Sequence, residues 1–146
     1  MSLKSGADWS EDGLRFVRGF LENEVPEESA GRLGTWRCVV LLSALLAVLM
    51  REVFGSAVSL QDLSAYSERI VEDMERKPRR IVVEAVLRTG SGYERSLEGI
   101  SEDEILEVLM MVLRWLRRII VSTSQSNGVL ADRVVQLASS GTILAR

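Results

Sequence analysis

Histidine is absent from this chain of 146 residues. That removes Ser-His-Asp and Cys-His catalysis, histidine metal ligation and histidine-ligated haem together. Cysteine occurs once, at Cys38, which excludes an internal disulfide and a cysteine-built zinc site. Cys38 sits among valines and leucines, where burial raises a thiol's pKa and leaves it inert. Lysine is confined to Lys4 and Lys77, so nearly all positive charge is arginine. Arginine makes bidentate contacts to phosphate and carboxylate that lysine cannot, although GC-rich coding favours it too. No apolar run reaches the roughly 20 residues that span a bilayer. The first residues, Met1–Asp12, are polar and acidic rather than an apolar targeting segment. A soluble, cytoplasmic protein with no membrane partner is expected.

What the chain does have is apolar surface, at 47% hydrophobic residues. This excludes a disordered chain, and the length suits one domain spanning 1–146. Between Cys38 and Met50 the only non-apolar residue is Ser43, with Arg37 and Arg51 at the ends. A helix apolar on every side must be buried on every side. Thr35 can cap this helix and Gly55 can stop it, giving a central helix over 35–54.

Three amphipathic segments can surround it. Ser10 is placed to cap a first helix ending near Asn23, with Trp9 stapled onto Leu14. Ser59, with Asp62 three residues on, opens a second that Pro78 ends. A third runs from about Leu130 to Ala138, and 139–146 reads as a flexible tail. Ile100-Ser101-Glu102-Asp103-Glu104-Ile105 is the clearest local signal. Ser101 is an N-cap, Glu104 closes a capping box, and Ile100 staples onto Ile105. The helix it opens, over 102–121, is also apolar on most sides.

Arg80-Ile81-Val82-Val83 through Leu87 could form a short helix, but residues 81–100 read better as a β-hairpin. A Gly90-Ser91-Gly92 loop would pair Thr89 with Tyr93 and Arg88 with Glu94. Ile81, Val83, Ala85, Leu87, Tyr93 and Leu97 would then share one face, with polar residues on the other. The same glycines are not a P-loop, because no Lys-Ser/Thr follows them. The expected fold is mostly α: a five-helix bundle around the apolar helix 35–54, with a β-hairpin at 81–100.

Three constellations could carry function. The helices 36–53 and 102–121 together ask for more burial than a small domain offers. This surplus predicts a homo-oligomer or homodimer, or a groove for a partner helix. Met110, Met111 and Trp115 would be the partner-binding residues, adaptable and apolar. The leading expectation is therefore a non-enzymatic interaction or regulatory module that needs no cofactor.

The arginines give a second reading. Net charge is −3, but residues 76–95 carry six basic side chains against two acids. Arg76, Lys77, Arg79, Arg80, Arg88 and Arg95 could grip RNA or DNA phosphates. Arg114, Arg117 and Arg118 beside Trp115 could add stacking. The acidic pI of about 5.1 opposes this.

The carboxylates give a third. Glu72-x-x-Glu75 and Glu104-x-x-Glu107 could face one another across a bundle and hold Mg²⁺. The pattern resembles the all-α nucleotide pyrophosphatase superfamily, which pairs an ExxE with an ExxD. That resemblance implies a Mg²⁺-dependent pyrophosphatase with Glu72, Glu75, Glu104 and Glu107 as ligands. It covers only these two segments and departs from the family at Glu107, where Asp is usual.

Overall fold

The computed structural model describes residues 5–22, 24, 27–54, 58–93, 97–119 and 127–139, with backbone alone at 5–10, 53–54, 119, 127–130 and 139. They form seven helices and, among the described residues, no strand: α1 (Ser5–Leu21), α2 (Glu27–Leu33), α3 (Thr35–Phe54), α4 (Leu60–Asp73), α5 (Arg80–Gly90), α6 (Glu102–Ile119) and α7 (Asn127–Ser139). The mostly helical expectation is met. The five-helix count gives way to seven, because α2 and α5 are additional.

The expected central helix is central. α3 packs against α1, α2, α5, α6 and α7. Leu41, Leu42, Ala44, Leu45, Leu46 and Leu49 have no exposure at all. Its entry is set by Gly34, at φ 83°. The Gly34 N–H donates to Ala30 O and closes α2, while Gly34 O accepts from Cys38 N–H and opens α3. Only glycine takes such a φ without strain, and the chain turns by 110° between the two helices. Gly34 thus does the capping expected of Thr35. Ser10 likewise lies inside α1, which starts at Ser5. Trp9's side chain, the Leu130 side chain and residues 140–146 of the expected tail lie outside the described residues.

The two apolar helices bury one another. α6 lies along α3 and α5, and Ile105, Val108, Leu109, Val112, Leu113 and Leu116 are buried. Among the described residues the large hydrophobics left exposed are Leu60, Ile81 and Tyr93. Core burial therefore does not by itself require a second copy.

The β-hairpin at 81–100 is overturned. Residues 80–90 are α5, and Leu97–Ile100 form a turn. Val82, Val83, Val86, Leu87 and Gly90 are buried, the spacing of a helix face rather than of a strand. Ile81, counted among the inward residues of the hairpin, is 68% exposed. Glu84 and Arg88, four apart, pair at 2.9 Å. The supposed loop is the helix's C-terminal cap. Tyr93 N–H donates to Arg88 O and Gly92 N–H to Thr89 O, with Gly92 at φ 93°. This is a complete Schellman motif.

Two serines in the core differ. Ser67 donates to Leu63 O at 2.8 Å and is satisfied. The Ser43 hydroxyl, in the middle of α3, is buried without a partner among the described residues. Cys38 is buried as expected, its thiol 3.9 Å from Ala30 O and its pKa pushed up to about 11 by burial.

Candidate functional site

Of the polar residues singled out in the sequence, Lys77, Arg79, Arg80 and Glu104 tie α4, α5 and α6 to one another. α4 has no basic residue in its last turn, so its terminal carbonyls need donors from elsewhere. Lys77, beyond the helix end, supplies them. Its Nζ donates to Val71 O at 2.9 Å and to Glu72 O at 2.8 Å.

Two residues on, Arg79 grips the first turn of α6. Its Nε donates to Glu104 Oε2 at 2.7 Å and its Nη2 to Oε1 at 2.6 Å. Arg80 reaches back to α4, to Ser64 Oγ at 2.8 Å and Glu68 Oε1 at 3.3 Å. The 74–79 connection is thus pinned from both sides. Ser101 caps α6 as expected, accepting from Glu104 N–H at 3.2 Å. The Glu104 carboxylate, however, goes to Arg79 rather than back to the cap.

Four of the six proposed nucleic-acid contacts are therefore turned onto protein partners: Lys77, Arg79, Arg80 and, through Glu84, Arg88. Arg76 is exposed, and Arg95 lies outside the described residues. Arg79 and Arg88 stand at opposite ends of α5, about 13 Å apart along its axis. They do not form one cluster. Arg117 donates to Leu21 O at 3.3 Å, and Arg114 stacks over Phe20 at 5.6 Å.

The carboxylates do not converge either. Glu72 and Glu75 are exposed on and beyond the end of α4, Glu107 is exposed on α6, and Glu104 is held by Arg79. Among the described residues no three acidic or cysteine side chains are grouped to hold a metal ion.

Hydrogen bonding from Arg79 holds the Glu104 carboxyl below its usual 4.5, against a smaller opposing effect of desolvation. A depressed carboxylate stabilises the fold above its unfolded pKa, and that contribution is lost as pH falls through the folded value. Glu104→Gln is therefore expected to lower the thermal midpoint at neutral pH. Its deficit against the wild type should shrink once pH falls below 4.5. Paired thermal melts across that window check this, and a deficit independent of pH refutes it.

Met110, Met111 and Trp115 diverge. Met110 packs against the core, half-buried. Trp115 is only 4% exposed, and its indole Nε1–H donates to Asp73 Oδ2 at 2.7 Å. Met111 is half-buried on the outer side of α6, among Asp103, Glu107, Arg114 and Arg118, all exposed. No local pattern announces the Trp115–Asp73 and Arg79–Glu104 pairs, whose members are 42 and 25 residues apart.

Comparison with protein families, with characterised proteins and with solved structures returns no match. No single helix among the described residues is long and apolar enough to cross a membrane. Among the described residues the class is all-α, with seven helices arranged around α3.

Proposed function

We propose that this chain is a non-enzymatic interaction module that acts inside the cell and associates with a second copy of itself. The observation that carries this reading is the outer face of α6. Ile105, Val108, Leu109, Val112, Leu113 and Leu116 turn inward and are buried, while Met111 stays half-buried between exposed charges of both signs. A methionine rimmed by charge makes an adaptable contact with a polar border. The lone buried thiol suits a reducing compartment.

Sedimentation equilibrium of the full chain tests the proposal. A dimer forming at micromolar concentration is expected, as is usual for a small interface. A monomer throughout that range overturns it. Ile81→Glu should leave the association unchanged, because Ile81 lies on α5. Loss of the dimer in that variant would move the contact to α5.

A further inference from the structure

We infer that the second copy docks antiparallel along α6, about a two-fold axis between Met110 and Met111. This deepens the self-association proposed above and rests on it. Asp103, Glu107, Met111, Arg114 and Arg118 fall within an arc of about 80° at 100° per residue, so they form one stripe. All four charged residues are exposed, and among the described residues none of them forms an ion pair.

The stripe is acidic at one end and basic at the other, and its charges are placed symmetrically. Asp103 lies as far before the midpoint between Met110 and Met111 as Arg118 lies after it. Glu107 and Arg114 are placed likewise. An antiparallel copy would set Asp103 opposite the partner's Arg118 and Glu107 opposite the partner's Arg114, twice over. The two copies of Met111 would meet near the axis. A two-fold interface must be self-complementary in this way.

The helix dipole explains only part of the pattern. It favours acids in the first turn and bases in the last, and fades beyond them. Asp103 and Arg118 are within reach of the ends, but Glu107 and Arg114 are not. Within one chain, Asp103 with Glu107 and Arg114 with Arg118 are like-charged neighbours four residues apart, a repulsive spacing. The antiparallel partner turns each repulsive pair towards opposite charge. Arg114 is further steadied by the Phe20 ring at 5.6 Å. Salt should weaken such a dimer, since its charges are partly exposed.

Two full-length variants test the register by sedimentation. Asp103→Arg with Glu107→Arg makes the stripe basic, and Arg114→Glu with Arg118→Glu makes it acidic. Each alone should lose self-affinity by at least about tenfold, from like charge facing like. Mixed in equal amounts they should restore a dimer. If the wild type is a monomer, self-association itself falls. If it is a dimer and both variants still dimerise alone, self-association stands and the α6 contact falls. Two monomeric variants that stay monomeric when mixed overturn the antiparallel register.

Should either variant fail to fold, Met111→Cys decides. A short bismaleimide should link two copies at residue 111, while wild type, whose Cys38 is 1% exposed, should stay unlinked. Absence of the link in Met111→Cys overturns the inference.

Discussion

Gly90→Ala is expected to lower stability by about 2 kcal/mol, although alanine is the better helix former. A methyl group at Gly90 would lie 2.7 Å from Leu46 Cγ, 2.8 Å from Leu46 Cδ2 and 3.0 Å from Met50 Sδ. The nearest atom is the branch point of a fully buried leucine, which has no free space to swing into. Overpacking of this kind costs up to about 3 kcal/mol. Replacing a glycine inside a helix returns at most about 1 kcal/mol, and Gly90 is the last residue of α5. The clash should win, because α5 and α3 meet where Gly90 allows it. Urea unfolding reads the effect as a lower midpoint at unchanged slope. Leu46→Ala alone should also destabilise, by about 2–5 kcal/mol. The double variant should lose less than the sum, because the new methyl occupies space that the leucine vacates. A Gly90→Ala protein as stable as the wild type would show that the helices do not approach this closely.

Gly90 also shows where sequence reasoning succeeds and where it stops. α3 is legible because no solvent face can be drawn on residues 38–50. Ser59 and Ser101 are legible as caps because the motif is local, and both accept from the N–H three residues on. α5 is misleading for a specific reason. Its apolar residues, several of them β-branched, fit a period of two through Ile81, Val83, Ala85 and Leu87. They fit a helical face through Val82, Val83, Val86, Leu87 and Gly90 equally well. Burial of Gly90 against α3 decides between them, and a glycine carries no hydropathy signal that announces a neighbour. The Glu84–Arg88 spacing was the one local clue to a helix. The candidate site was less legible still. The 76–80 run is conspicuous as charge, yet Lys77 serves helix capping and Arg79 serves a bridge to α6. Their partners are a pair of backbone carbonyls and a glutamate 25 residues away. Composition shows how much charge a segment carries. Only the fold decides whether that charge is spent internally.

Trp115→Ala should have the larger effect, about 3–5 kcal/mol, the usual loss for a buried tryptophan truncated to alanine. The expectation from the sequence placed Trp115 on a contact face with Met110 and Met111, and the two roles give different results. A contact residue lost from the surface changes the monomer–dimer balance and leaves the isolated chain as stable as before. Trp115 instead fills the core beside α4 and ties that helix to α6 through Asp73 at 2.7 Å. Its loss should lower the urea midpoint at protein concentrations where only monomer is present. Trp115→Phe separates packing from the hydrogen bond. It keeps most of the ring and removes the donor, so a loss nearer 1–2 kcal/mol is expected, roughly the cost of one unmade bond and a small void. Asp73→Asn keeps an acceptor for the indole and should cost less than about 1 kcal/mol, since only the charge assistance is lost. If Trp115→Ala leaves the monomer's midpoint unchanged and abolishes only the dimer, then Trp115 faces a partner, and the boundary drawn between the sealed and open sides of α6 must shift round the helix by about 40°, the angle from Met111 to Trp115 at 100° per residue.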